Sequence, residues 1–298
     1  MNMKLSEIID DAIKKNKPIV ALESTVFTHG LPYPRNFKTA LQLERVVRKT
    51  HAIPATIGIV NGCIHIGLSE SEIETLAKSE HLRKISKRDF GIAIGKGLSG
   101  GTTVAGTITV ANLVGIKVFA TGGIGGVHRN APFDISADLN TLANTPMIVV
   151  CAGAKAILDL PATIEYLETF GIPILGYQTN EFPAFYSSKS GLPIDIRVNS
   201  VTEVIKIAKA HWQIGLNSAI LVTVPPPEEH AMPFDVANEA IKNALQDAVD
   251  NGIRGAAVTP FLLQRVSELT GSKSLQANLS LLENNARIAA EISLELSN

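Results

Sequence analysis

Residues 147–176 read MIVVCAGAKAILDLPATIEYLETFGIPILG and contain two strand patterns on either side of a helix pattern. Met147–Ala152 and Ile172–Gly176 are short runs that are apolar on both faces, which is typical of buried parallel strands. Ile157–Phe170 has apolar residues at helical spacing and predicts an amphipathic helix. A strand, a helix and a strand in this order form the unit from which parallel sheets are built.

The same alternation continues along most of the chain. Further strand-like runs are Ile19–Leu22, Ala55–Val60, Gly91–Ile94, Ile116–Ala120 and Ala219–Val224. Further helix patterns are Phe37–Lys49, Ser69–Ser79, Thr202–Trp212, Asp235–Asn251 and Leu279–Leu296. Between them, Glu181–Ile196 predicts an irregular excursion over the surface. We therefore predict one α/β domain over residues 1–298, a three-layer α/β/α fold with a mostly parallel central sheet.

Composition narrows the functional classes. The 298 residues include 27 Lys and Arg against 28 Asp and Glu, a net charge of −1, which argues against a nucleic-acid binder. No uninterrupted apolar run reaches the ~18 residues of a membrane span, and the first residues lack the pattern of a secretory signal. Two cysteines, Cys63 and Cys151, are too few for a disulfide framework. We expect a cytoplasmic protein.

Polar residues follow several of the predicted strands. In open parallel sheets, ligands bind beyond the carboxyl ends of the strands. Glu23 follows Ile19–Leu22, Thr121 and the glycine loop Gly122–Gly126 follow Ile116–Ala120, and Lys155 follows Met147–Ala152. These residues are expected to meet in one crevice.

Glu23 and Lys155 each allow two interpretations on spacing alone. A carboxylate partly removed from water can act as a proton donor, but Glu23 also fits a helix cap or a surface carboxylate. A lysine that emerges from an apolar strand loses hydration, which favours a neutral, nucleophilic amine. Lys155 equally fits a phosphate-pairing lysine or one that extends to solvent.

Three other segments have candidate roles. The glycine loop allows backbone N–H groups to approach an anion, with His128 and Arg129 adding charge, although a tight turn is the alternative. The helix that begins near Val104 offers free N–H groups to a phosphate. Asp134 and Asp138, if helical, share a face and could hold a divalent cation through waters, or else be a cap and a solvated carboxylate.

Gly95–Gly100 matches G-x-G-x-x-G after a strand-like run, which raises the alternative of an NAD(P)-dependent enzyme. No βαβ unit with an acidic residue about 20 positions further on follows it, so the match is weak.

Taken together, these segments resemble the pseudouridine-5′-phosphate glycosidase family, which is sometimes grouped with indigoidine-synthesis homologues. The resemblance covers the chain from about residue 17 onward. It rests on the motifs VALEST (20–25), HG (29–30), PATI (54–57), SKRD (86–89), TTV (102–104), VFATGGIGGVHR (118–129), FDISADL (133–139), VCAGAK (150–155), EYLETFG (165–171), GYQT (176–179) and TPFLL (259–263).

The resemblance implies a trimeric enzyme with one divalent metal, commonly Mn²⁺, that reversibly cleaves pseudouridine 5′-phosphate into uracil and ribose 5-phosphate. The family's covalent lysine falls on Lys155, its acid/base glutamate on Glu23 and its metal-binding aspartate on Asp134. The substrate contacts that it implies are Lys84, Val104, Thr121, His128, Ser136, Ala137, Asp138 and Asn278. Only Asn130-Ala131-Pro132 separate Arg129 from Phe133, a shorter link than the family pattern has.

Two further readings of the resemblance remain. A homologue from a pigment pathway would act on a C–C bond between a sugar phosphate and another heterocycle. A non-catalytic sugar-phosphate sensor would need a grip on phosphate but no nucleophile, so the presence of Glu23, Asp134 and Lys155 together argues against it.

Overall fold

The computed structural model describes residues 2–129, 131–253 and 258–297. Its strands are β1 Met3–Leu5, β2 Ile19–Leu22, β3 Ile53–Val60, β4 Cys63–Ile66, β5 Arg83–Ile85, β6 Gly100–Thr102, β7 Val118–Ala120, β8 Val127–His128, β9 Ala131–Ile135, β10 Ile148–Cys151, β11 Leu158–Asp159, β12 Ile174–Tyr177, β13 Ile196–Val198 and β14 Ile220–Thr223. Its helices are α1 Glu7–Lys14, α2 Thr25–Thr28, α3 Arg35–Lys49, α4 Glu70–Lys78, α5 Phe90–Gly95, α6 Val104–Leu113, α7 Ala137–Ala143, α8 Leu160–Thr169, α9 Val201–Gln213, α10 Phe234–Asp250, α11 Val258–Leu269 and α12 Lys273–Ser297. Over these ranges, no helix combines the length and the apolar character that crossing a bilayer requires.

The main sheet has the strand order β1-β4-β3-β2-β7-β10-β14-β12-β13, and β5 and β6 extend from β3. From β3 through β13 all neighbouring strands are parallel. Strands β2, β10 and β14 are fully buried, as their continuous apolar runs predict. As a result, the carboxyl ends of β2, β7 and β10 lie side by side.

Helices complete the predicted three-layer α/β/α arrangement. Helix α12 packs on β2, β7 and β10, with α3 and α9 as its neighbours, while α6 packs on β2 and β3 beside α7. The face of α12 that meets the sheet includes Leu281, Asn285 and Ser293, all buried. Helix α12 comes after all of these strands in the sequence. It therefore covers the strands whose carboxyl ends carry the candidate site.

Two sequence predictions about secondary structure are wrong. Gly91–Ile94 lies within the helix α5, because four apolar residues fit a short helix as well as a strand. Glu181–Ile196 is irregular but does not run over the surface throughout. Its stretch Phe182–Ser187 is almost entirely buried.

A small second sheet follows β7, with the order β11-β8-β9. Strands β8 and β9 form a hairpin with an irregular register, and β9 contains Asp134. Asp138 instead lies in the first turn of α7, whose N-cap is Ser136. The two aspartates therefore do not share a helix face. Asn130, part of the short link, lies outside the described residues.

Candidate active site

The ends of three neighbouring strands surround one cavity of about 390 Å³. Glu23 follows β2, Thr121 follows β7 and Lys155 follows β10, and all three line it. Lys84 of β5 and Asn278 of α12 also contribute to its polar lining. Five of the residues that sequence analysis selected are therefore brought together.

Glu23 is nearly buried, with 7% of its surface exposed. One carboxylate oxygen accepts a hydrogen bond from the Thr25 hydroxyl, and the other accepts one from the Thr121 hydroxyl. Two hydroxyl donors thus fix the orientation of a carboxylate that faces the cavity. A carboxylate held in this way can exchange a proton with a bound molecule.

Lys155 lies on a short segment that is hydrogen-bonded to the glycine loop. The Ala152 N–H donates to the Gly122 carbonyl at 2.9 Å, and the Lys155 N–H donates to the Ile124 carbonyl at 3.0 Å. Gly153 between them has φ +81°, and a Cβ there would lie 2.3 Å from the Pro183 carbonyl oxygen. Only glycine fits this turn without strain, and the turn aims the half-buried Lys155 into the cavity.

Lys84 is the second amine of the cavity. Its side chain stays accessible, but the surrounding wall removes part of its hydration, and this desolvation lowers its pKa. The positive charge of Lys155 lowers the pKa of Lys84 further, while Asp138 and Glu23 act in the opposite direction. Lys84 is therefore close enough to Lys155, Asp138 and Glu23 for their charges to affect its protonation.

Asp138 links the glycine loop to α6. Its Oδ1 accepts a hydrogen bond from the Ala105 N–H at 2.9 Å, and its Oδ2 accepts one from the Gly125 N–H at 2.8 Å. A Cβ on Gly125 would lie 2.7 Å from Asp138 Oδ2, so the close approach requires glycine. The sequence predicts that N–H groups of the glycine loop and of the first turn of α6 bind a phosphate. These two N–H groups are bonded to the Asp138 carboxylate instead.

The remaining predicted contacts lie around this carboxylate or further out. Val104 is the buried first residue of α6, and Ser136 and Ala137 begin α7 next to Asp138. His128 lies in the small sheet and is not part of the cavity lining. Arg129, expected to add charge near the loop, donates to the carbonyls of Leu158 and Ala156 and to the Asn238 side chain.

Asp134 is exposed on β9. Across residues 2–129, 131–253 and 258–297, no group of three or more His, Cys, Asp or Glu side chains could hold a metal ion. Asp138 already accepts two N–H hydrogen bonds, so Asp134 remains as the free carboxylate of the pair. Asp134 thus offers a cation a single carboxylate, and the described residues do not form a closed protein cage around it.

Sequence reasoning missed Phe185 and His29, which both line the cavity. Phe185 packs against Gly123 and has φ +60°, a strained conformation for a bulky residue that is common at ligand sites. His29 Nε2 lies 3.2 Å from the Leu82 carbonyl, and burial lowers the pKa of His29, which favours the neutral ring. The HG pair at 29–30 was a signal for His29; no pattern pointed to Phe185.

The dinucleotide alternative is not supported by the local structure. Gly95–Gly100 follows the short helix α5 and leads into strand β6. A dinucleotide-binding loop instead follows a strand and opens a helix, where the pyrophosphate binds.

Comparisons with known proteins agree over nearly the whole chain. The family model described as "Indigoidine synthase A like protein" matches residues 8–295. A pseudouridine-5′-phosphate glycosidase of Caldanaerobacter subterraneus subsp. tengcongensis is 53% identical over 295 residues, covering 98% of this chain and 96% of that protein. One of Escherichia coli K12 is 51% identical over 296 residues, covering 98% and 95%.

Two solved structures are also similar. An indigoidine synthase A-like protein from Thermotoga maritima has a TM-score of 0.91 at 37% identity, covering 99% of this chain and 97% of that one. A prealnumycin C-glycosynthase in complex with ribulose 5-phosphate has a TM-score of 0.91 at 41% identity, with the same coverage.

Proposed function

The chain belongs to the Indigoidine synthase A like family, and from this premise we propose that it reversibly cleaves the C–C glycosidic bond of pseudouridine 5′-phosphate to uracil and ribose 5-phosphate. Full-length relatives at about half identity carry the name of that glycosidase. The observation that carries the proposal is a lysine and a nearly buried carboxylate on neighbouring strand ends, facing one cavity with a second lysine.

The proposed reaction explains why an amine is needed. Ordinary glycosidases protonate an oxygen or nitrogen leaving atom and use two carboxylates. Here the leaving atom is C5 of uracil, which has no lone pair to protonate. Electrons from the uracil ring expel the ribose ring oxygen from C1′. The expelled oxygen takes up a proton, and the ribose ring opens.

The amine of Lys155 then bonds to C1′, the electron pair of the C1′=C5 double bond returns to the uracil ring, and the nitrogen gives up a proton. Protonation of uracil C5 breaks the C–C bond, and the nitrogen lone pair forms the Schiff base that remains on the lysine. Water hydrolyses this Schiff base to release ribose 5-phosphate and restore the amine. Glu23 carries the protons, and Thr25 and Thr121 hold it in place.

We propose that Lys84 binds the phosphate. Replacing Lys84 with Ala removes a charged hydrogen bond of roughly 1.5–3 kcal/mol, so KM should rise on the order of 10- to 100-fold with a smaller change in kcat. Steady-state kinetics with pseudouridine 5′-phosphate measure this split. An unchanged KM would contradict the assignment.

The lowered pKa of Lys84 also predicts a pH dependence. Its amine loses its proton at a lower pH than an ordinary lysine does. As the pH is raised, phosphate affinity should therefore fall, and KM should rise, at a lower pH than a lysine of ordinary pKa would give. Lys84→Arg keeps its charge throughout that range and should move the rise in KM to higher pH. A KM profile that is identical in the two proteins would exclude Lys84 as its source.

We propose Asp134 as the protein contact of one divalent cation, Mn²⁺ by resemblance, which supplies charge and ordered water when bound. Exhaustive chelation should remove most activity, and added Mn²⁺ should restore it. Asp134→Asn should raise the Mn²⁺ concentration needed for half-maximal activity, and calorimetric titration of Mn²⁺ should show the same weakening without turnover. Full activity after chelation would contradict the proposal.

The direct test is incubation with pseudouridine 5′-phosphate and Mn²⁺, with chromatography of the products. Release of uracil and ribose 5-phosphate supports the proposed function. The C-glycosynthase relative makes a different aglycone the second candidate, and no uracil release would favour it. The trimeric state stays a prediction from the resemblance, and the cytoplasmic location stays a prediction from the composition and the N-terminal pattern.

A further inference from the structure

Asn285 on α12 is fully buried and bonds to the end of β7. Its side-chain Nδ2 donates to the Thr121 carbonyl at 2.8 Å and, more weakly, to the Gly122 carbonyl at 3.4 Å. Its Oδ1 accepts no hydrogen bond from any described residue, so the side chain acts through its N–H₂ group. A buried amide with one unsatisfied oxygen calls for a reason beyond packing.

The two carbonyls depend on Asn285 to different degrees. Gly122 also accepts the Ala152 N–H at 2.9 Å, whereas no other described group donates to the Thr121 carbonyl. Leu281 and Leu282 already pack around Gly122 and supply the apolar contact between α12 and the loop. The specific contribution of Asn285 is therefore to fix the backbone at Thr121.

Thr121 in turn holds Glu23 through its hydroxyl. The connection runs from α12 through Asn285 and the Thr121 backbone to the carboxylate that faces the cavity. We propose that Asn285 is a positioning residue for Glu23 and that it acts through Thr121. The inference rests on the proposed function in that Glu23 carries protons there, but the orientation of Glu23 can be measured without turnover.

A double-mutant cycle between Asn285→Leu and Thr121→Val tests this connection. A misplaced proton carrier lowers kcat, so each single variant should lose about 10- to 100-fold in kcat with KM nearly unchanged. If Asn285 acts through Thr121, the double variant should be no slower than the slower single variant. If the kcat loss of the double variant equals the product of the two single losses, Asn285 and Thr121 act independently and the inference is overturned.

Ser293→Ala is the matched control. Ser293 is also buried on α12 and donates to a strand carbonyl, that of Ile19 at 3.0 Å, but at the opposite end of β2 from Glu23. Its kcat should stay near that of the unmodified protein while its thermal midpoint falls. If Asn285→Leu does not fold, Asn285→Gln, which keeps a displaced amide donor, enters the same cycle.

A substrate-free measurement separates the two proposals. The ¹³C resonance of the Glu23 carboxyl, assigned by its loss in Glu23→Gln, should shift in the Asn285 and Thr121 variants and stay in place in Ser293→Ala. An unshifted resonance in the Asn285 variant overturns the positioning role. A shifted resonance in a protein that releases no uracil supports that role and contradicts only the proposed function.

Discussion

Lys155→Ala is expected to abolish turnover of pseudouridine 5′-phosphate and to leave the fold and the phosphate grip intact. Removing a covalent nucleophile costs about 10⁴-fold or more in kcat, because the covalent route through its amine is lost. The side chain extends from the turn at Gly153 into the cavity, so its truncation leaves the hydrogen bonds between this turn and the glycine loop in place. Ribose 5-phosphate should still raise the thermal midpoint of the variant, since ligand binding stabilises the folded state.

Reductive trapping examines the same residue directly. Incubating the unmodified protein with ribose 5-phosphate and borohydride should reduce a Schiff base to a stable ribityl-phosphate adduct, which peptide mass spectrometry should locate on Lys155. Lys84→Ala is the matched control, because it removes the other amine of the cavity. At saturating sugar phosphate it should still be labelled on Lys155.

The assignment fails if the adduct forms on Lys84, or if no adduct forms in a protein that releases uracil. Lys155→Arg adds a further check, since it keeps the positive charge but supplies no nucleophilic amine at neutral pH. It should be as inactive as Lys155→Ala.

Glu23→Gln should lower kcat by about 10²- to 10⁴-fold, the usual contribution of a proton carrier, with little change in KM. The substitution preserves shape. A glutamine oxygen can accept one of the two threonine hydroxyls, and the other hydroxyl can rotate to accept from the new N–H₂ group. Loss of activity would therefore reflect loss of the titratable group and not of the local structure.

Glu44→Gln provides the comparison. Glu44 is another buried carboxylate that accepts a threonine hydroxyl, from Thr56 at 2.6 Å, and it does not line the cavity. It should keep a near-normal kcat even if its thermal midpoint falls. A near-normal kcat in Glu23→Gln, measured by uracil release over a range of pH, would remove Glu23 from the mechanism.

The fold was largely predictable because the hydrophobic pattern is local. Ile19–Leu22 and Ala219–Val224 are apolar on both faces and fall on buried parallel strands, and the α/β/α layering follows from their alternation with helices. The strand prediction for Gly91–Ile94 was wrong because an apolar run this short fits a strand and a short helix equally well. The small sheet was missed because β8 and β11 are two residues long.

The site was predictable to the extent that its residues follow strands. Glu23, Thr121 and Lys155 come directly after apolar runs, so the topology of a parallel sheet brings them together. Phe185 reaches the cavity from an irregular segment, and Asn285 bonds to the backbone carbonyl of Thr121, a residue that lines the cavity. Such contacts depend on long-range packing, which no local pattern encodes.

The position of α12 has a consequence for synthesis on the ribosome. The helix that packs behind β2, β7 and β10 brings Asn278 to the cavity and Asn285 to the Thr121 carbonyl. A nascent chain that has exposed Glu23, Lys84 and Lys155 still lacks this helix, and the apolar face of its sheet is uncovered. Until α12 emerges, the cavity lacks the wall that this helix supplies, so we expect the cavity around Lys155 to be completed late in synthesis.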